Sequence, residues 1–237
     1  MIAFTCDIDW ASEEIIEDTL NLFELFGVKC TIFSTHHSLL LSKCSKKLFE
    51  IGIHPDFTPV FNGDSGKSID DILDEILDIH PDAQGVRCHT LFQNVALLQK
   101  FSEKKLLYDS NNLLPYQTGL RAFKLWNSLV RIPYNWEDDV HWAYGYSFDD
   151  SRIDISSEGL LIFDFHPIHI YLNTENKYRY NEAKKFMNDH KKLLSYRNSE
   201  VPGTRDLFIN LLKHCKSKKV QTHNLKEIAY LCLQNSI

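Results

Sequence analysis

The sequence predicts an α/β fold built on a mainly parallel sheet, either open or closed into a barrel. Two observations carry this expectation. Short apolar, β-branched or aromatic runs recur along the 237 residues, and helical patterns lie between several of them. That is the rhythm of parallel strands joined by crossover helices. Carboxylates, imidazoles and an arginine also recur where the runs end, the edge at which α/β proteins place their chemistry.

Taken in order, the expected strands are residues 2–9, 29–35, 48–54, 85–90, 129–134, 160–166 and 219–223. Helical spacing is clearest at Ile69, Ile72, Leu73, Ile76 and Leu77, where Ser68 with Asp71 three residues later forms a capping-box start. Leu207, Phe208, Leu211 and Leu212 mark another helix, and Asn224 with Glu227 opens a last one. Residues 113–150 break the rhythm and read as a long decorated connection. No Pro-, Gly- or Ser-rich linker interrupts the chain, so one domain spanning residues 1–237 is expected.

With 43% apolar and 24% charged residues, the chain has the composition of a folded globular domain. No apolar run reaches the roughly 18–20 residues needed to span a bilayer. The formal net charge of -6 argues against nucleic acid as the main partner, since phosphate contacts need a basic footprint. The six cysteines form no Cys-x-x-Cys pair and read as reduced, mostly buried thiols. The N-terminus has no basic region ahead of an apolar stretch, so a cytoplasmic location is expected. Residues 63–68 end like a phosphate-binding loop, but Phe61 stands where its first glycine belongs and no strand precedes it. There is no Gly-x-Ser-x-Gly elbow. The lysines at 184, 185, 191 and 192 read as a solvated helix face.

The chemistry lies at the expected strand ends. Asp7 and Asp9 are two apart on one strand and so share a face. Two such carboxylates repel unless a cation lies between them or one keeps its proton. The structural alternative is that Asp9 or Ser12 caps the next helix and Asp7 is a solvated strand end. His54 and His89 end neighbouring strands. With Asp9 they make an oxygen/nitrogen set suited to one divalent ion, zinc above all, with positions left open for water and substrate. His89 is either the third ligand or a supporting group, and the ligand reading is preferred. Asp7 is placed to act as general base. Arg87 either orients Asp7 or makes an ordinary ion pair. His166 is a natural general acid because imidazole titrates near neutrality, with Asp138 or Asp164 to orient it. His169 is read as structural. Aromatics cluster from Tyr134 to Phe148, and Tyr134 and Trp136 are the expected substrate contacts.

In this order, these residues resemble the polysaccharide deacetylases of the NodB-homology type, a carbohydrate esterase group. Thr5-Cys6-Asp7-Ile8-Asp9 is similar to that family's Thr-Phe-Asp-Asp motif, with one residue inserted between base and ligand. Cys30-Thr31-Ile32-Phe33 is similar to its second strand. Glu50-Ile51-Gly52-Ile53-His54 resembles the segment that ends in a ligand histidine. Val86-Arg87 falls where the family carries the arginine that holds the base. Residues 135–138 echo its fourth motif. Leu161-Ile162-Phe163-Asp164-Phe165-His166 matches the motif whose histidine assists the leaving group. The family's second motif has a further histidine where this chain has Thr58, so His89 or Asp56 must take that place.

The resemblance implies a distorted, incompletely closed (β/α)7 barrel, the NodB-like deacetylase barrel. It also implies metal-dependent removal of an N-acetyl group from an amino sugar, as polymer or precursor. The segments at 54–57 and 87–91 look like a branch associated with surface-sugar and O-antigen synthesis. Two other readings stay open: a related metal hydrolase of an O-acetyl ester or another C–N bond, and a sugar-binding barrel without catalysis.

Overall fold

Among the described residues, ten strands form one sheet: β1 (Ile2–Asp7), β2 (Cys30–Ser34), β3 (Phe49–Ile53), β4 (Gly85–Val86), β5 (Tyr108–Asp109), β6 (Phe123–Lys124), β7 (Val130–Arg131), β8 (Trp136–Glu137), β9 (Leu161–Phe165) and β10 (Thr222–His223). The computed structural model describes residues 1–64, 66–149, 152 and 154–234. Ser65 of the rejected phosphate-loop run and Asp150 at the end of the irregular stretch lie outside them. The pairing order is β6-β7-β5-β4-β3-β2-β1-β9-β8, and β10 joins the start of β1. All pairs are parallel except β6 with β7. Among the described residues β6 and β8 end the sheet without pairing to each other, so the barrel is incompletely closed. Each of the seven expected strands is present, and all are shorter than expected. The short β5, β6 and β8 are additional.

Alternation along β1 sorts its side chains into two layers. Ile2, Phe4 and Cys6 face outward and pack with Ile16 and Phe23 of the helix Glu13–Phe26 and with Phe208 of the helix Thr204–Ser217. Ala3 faces the barrel interior with Phe33, Tyr108, Val130 and Ile162. Thr5 and Asp7 continue that inner face, so the apolar interior gives way to polar groups toward the C-terminal end of the strand.

The helix Ile69–Ile79 starts as expected. Asp71 Oδ2 accepts from the Ser68 backbone N–H at 2.8 Å, and Ser68 Oγ accepts from the Asp71 N–H at 3.2 Å. At the last helix, Leu225–Leu233, the Glu227 carboxylate accepts from the Asn224 N–H at 3.0 Å. Residues 113–149 are mostly irregular, with the short helix Asp138–Ala143 set directly after β8. All six cysteines are free, and Cys6, Cys30, Cys88 and Cys215 are buried. Lys184, Lys185, Lys191 and Lys192 are exposed. No helix of the described residues is long and apolar enough to cross a membrane.

β4 and β5 approach closely because residue 85 has no side chain. A Cβ there would lie 2.0 Å from the Tyr108 ring, which is itself fixed by its hydroxyl donating to Glu50 at 2.8 Å. Gly85→Ala should therefore cost about 1–3 kcal/mol by overpacking. In a chain of this size that lowers Tm by about 3–10 °C, a shift that a calorimetric melt of the two proteins would measure.

Candidate active site

The polar groups singled out in the sequence lie at or just past the C-terminal ends of β1, β3, β4, β8 and β9. β1 stops at Asp7 rather than running to Asp9. The Ile8 N–H bonds to Phe33 O at 3.1 Å and Ile8 is buried, after which Asp9 takes a left-handed conformation (φ 44). That conformation is costly for a residue with a side chain. The inserted residue is thus absorbed by a turn, and Asp9 returns to the same site as Asp7 by that turn instead of by strand alternation. Thr35 Oγ1 donates to the Asp9 carbonyl and holds the turn.

His54 follows β3 and is buried, with its backbone N–H donating to Ser34 O at 2.8 Å. Its ring stands between the two carboxylates: Nδ1 is 3.7 Å from Asp7 Oδ2, and Nε2 is 3.5 Å from Asp9 Oδ1. β4 ends at Val86, so His89 is not on the strand. It opens a single 3-10 turn, His89–Leu91, in which Thr90 (φ 57) and Leu91 (φ 55) are left-handed. This places His89 Nδ1 3.3 Å from Asp9 Oδ1 and 3.4 Å from His54 Nε2.

Asp9 Oδ1, His54 Nε2 and His89 Nδ1 therefore form a nearly equilateral triangle with edges of 3.3–3.5 Å. Tetrahedral zinc with ligands at about 2.0–2.1 Å separates its ligand atoms by about 3.3–3.4 Å. Asp9 Oδ1 is buried without a properly angled hydrogen bond. Burial alone would raise the Asp9 carboxyl, but His54, His89 and the charge of His166 hold it well below the usual carboxylate range. The Asp9 carboxylate beside it raises His89 above the ordinary imidazole value, against the effect of burial. The donor set fits one divalent cation. Asp56 does not join it: it is exposed, and its Oδ1 accepts from the Thr58 N–H at 2.8 Å.

Arg87 is fully buried inside the barrel. Its NH1 donates to Asp7 Oδ1 and Thr5 Oγ1, both at 3.0 Å, and to Asp164 Oδ1. Nε and NH2 donate to Ser110 O and Ser110 Oγ, each at 3.1 Å. The Phe33 and Tyr134 rings lie 4.6 and 4.1 Å from the guanidinium carbon. Burial is the main cause that pushes the Asp164 carboxyl up to about 7, against the pull of Arg87. Thr5 and Ser110 were not singled out in the sequence. Such residues are too common to signal a role before the fold brings them together.

Of the two carboxylates considered for His166, Asp138 is the partner. Its Oδ1 lies 2.7 Å from His166 Nδ1, and its Oδ2 accepts the His166 backbone N–H at 2.8 Å. Burial would lower this imidazole, but Asp138, with Asp9 and Asp139, raises it well above the ordinary value. His169 is buried on Thr174 Oγ1 at 3.1 Å. The expected substrate contacts are both buried. Tyr134 lies fully buried beneath Arg87 with its hydroxyl on Glu137. Trp136 is 2% exposed, packs on Phe165 at 4.8 Å and donates to His141 Nδ1 at 3.3 Å. It also lines a small cavity with Tyr116, Asn135 and Phe163.

The family model of WbmS-like polysaccharide deacetylases matches residues 4–184. The chain is similar to a Bordetella bronchiseptica protein, WbmS, assigned as a polysaccharide deacetylase involved in O-antigen biosynthesis. The two are 37% identical over 90% of each chain, with a TM-score of 0.84. A structure assigned as a polysaccharide deacetylase from Mycobacterium smegmatis shares the fold at 16% identity and a TM-score of 0.50, over 94% of this chain and 92% of that one. No curated protein matches the sequence.

Zinc titration of metal-free protein tests the triangle. The wild type should take up a single ion, whereas Asp9→Asn and His89→Ala should each weaken binding by at least about 100-fold. Asp56→Ala should leave it unchanged. Equal weakening in Asp56→Ala, or none in His89→Ala, would remove His89 from the ligand set.

Proposed function

The chain belongs to the WbmS-like polysaccharide deacetylase family. From that premise we propose that it is a zinc-dependent hydrolase removing the N-acetyl group of an amino sugar in a surface polysaccharide, such as O-antigen, or its precursor. The observation that carries this reading is the convergence of Asp9, His54 and His89 on one point, with His166 and its Asp138 on the other side of β1. Asp9, His54 and His89 hold the cation. When bound, it supplies Lewis-acid polarisation of the acetyl carbonyl and a water of lowered pKa.

This chain's own residues carry the proton transfers. Asp7, fixed through Oδ1 by Arg87, takes a proton from the attacking water at Oδ2. A bond forms between that water oxygen and the acetyl carbon. As the C–N bond breaks, His166 gives its proton to the departing nitrogen, leaving acetate and a free amine. Asp138 fixes a proton on His166 Nδ1, so Nε2 is the nitrogen that delivers one to the substrate. His54 Nδ1 faces Asp7, which leaves Nε2 for the metal.

Acetate release from paired N-acetyl and O-acetyl sugars by zinc-loaded protein tests the reaction. The N-acetyl substrate should be preferred, and Asp7→Asn should lower kcat by about 10²–10⁴-fold while zinc still binds. Undiminished turnover in Asp7→Asn would remove it as the base, and release from O-acetyl sugars alone would replace amide by ester hydrolysis.

The pH profile has a defined sign. His166 is held above the ordinary imidazole value and acts when protonated, so turnover persists through neutral pH and falls as pH rises through its folded-state pKa. Asp138→Asn removes the leading cause of that elevation. Its alkaline limb should move to lower pH, toward or below about 6.5, and kcat should fall by about 10²–10⁴-fold. A limb at the same pH in both proteins would assign the acid to another group.

A further inference from the structure

The order of strands sets where a sugar must lie. The ligand histidines follow β3 and β4, on one side of β1, whereas His166 and Asp138 follow β9 and begin beyond β8, on the other. Accepting the deacetylase reading, the acetyl group faces the ligands and the amine faces His166. The sugar ring bearing that amine must then extend over the β9 side.

That side carries a wall of half-buried aromatic rings with no other assigned task. Trp10 directly follows Asp9. Its ring stacks on Tyr180 with centroids 6.4 Å apart and planes 26° apart, and its Nε1 donates to the Tyr180 hydroxyl at 3.2 Å. Tyr180 meets His169 at 4.8 Å, and His169 meets His166 at 5.4 Å. Trp142 closes the other flank of His169 at 6.1 Å. A continuous path of rings thus leads from the residue beside a candidate ligand to the candidate acid.

Trp10, Tyr180 and Trp142 each keep some exposed surface, unlike Tyr134 and Trp136. One donor in the wall is also unspent. The Tyr180 hydroxyl accepts from Trp10, and no acceptor for its own proton is found among the described residues. Aromatic faces beside such an O–H group match a pyranose, which offers apolar C–H faces and a rim of hydroxyl oxygens.

We propose that Trp10, Tyr180 and Trp142 form the subsite for the pyranose ring of the amino sugar. The rings of Trp10 and Tyr180 receive its C–H face, the Trp142 ring extends the wall beyond His169, and the Tyr180 hydroxyl donates to one of its hydroxyls. This assignment rests on the deacetylase reading for its orientation and on ring geometry for its chemistry.

The test measures binding rather than turnover, using zinc-loaded full-length protein. The probes are N-acetylglucosamine and N-acetylgalactosamine, each free and as the uridine diphosphate sugar. Saturation-transfer NMR identifies the sugar protons in contact with the protein, and a titration gives Kd. At least one probe should receive its strongest transfer at pyranose ring C–H protons. Tyr180→Ala should weaken its binding by about tenfold and Tyr180→Phe by less, with zinc affinity unchanged in both. Trp142→Ala, which removes a ring of the wall, should also weaken binding. Unchanged Kd in Tyr180→Ala and Trp142→Ala, or no binding of any probe to the wild type, would overturn the subsite. Binding through these residues without acetate release would keep the subsite and overturn the deacetylase reading instead.

Discussion

The buried guanidinium of Arg87 is the interaction on which the rest of the site depends. A cation removed from water is tolerated only when its donors are matched, and Arg87 uses Nε, NH1 and NH2 on Thr5, Asp7, Ser110 and Asp164 between two aromatic rings. The contacts tie β1 and β9 to the segments following β4 and β5 through the barrel interior. Removing one member of such a group strands a buried charge, at a cost of about 3–5 kcal/mol. The same contacts fix Asp7 Oδ1, and so the direction in which Asp7 Oδ2 faces. Interior packing and catalytic geometry are therefore one constraint.

The make-up of the candidate triangle follows from local backbone chemistry. Position 58 begins the short helix Thr58–Phe61 and is turned to solvent, and Asp56 is committed to the Thr58 N–H. Neither joins Asp9 and His54. The segment after the next strand supplies the third candidate donor, through a turn that holds Thr90 and Leu91 left-handed to bring His89 Nδ1 within 3.4 Å of His54 Nε2. Backbone strain at Asp9 and beside His89 is concentrated where two of the three donors converge.

Much of this was legible in the residues themselves. Long strands buried on both faces, such as β1 and β9, read as continuous apolar runs, and capping residues announced the helices at 69 and 225. The groups at strand ends were found because a parallel sheet gathers them at one edge. The short β5, β6 and β8 carry too few residues for a pattern, since their pairing is decided by neighbours distant in sequence. The burial of Tyr134 and Trp136 was not legible for a related reason: an aromatic side chain serves a core and a surface site equally well in sequence, and only the fold sets its burial. Alternation predicts that Asp9 shares a face with Asp7; it lies beside Asp7 and His54 by a turn instead, because alternation cannot foresee a left-handed residue.

Electrostatics gives the arrangement its direction. Asp7, Asp9, Asp138, Asp139 and Asp164 crowd one edge of the sheet, where the permanent opposing charge is Arg87. Burial raises Asp164, while Asp9 is held ionised by the imidazoles beside it. The remaining negative charge is relieved in two places: at His166, which Asp138, Asp9 and Asp139 keep protonated, and at the triangle of Asp9, His54 and His89. On the proposed reading, a divalent cation at the triangle and a proton on His166 are the two charges that relieve this cluster. Hydrolysis of an amide needs those same two, one beside the carbonyl and one beside the departing nitrogen. The order of strand ends across β1 sets the triangle on one side and His166 on the other, which is the arrangement that the proposal uses.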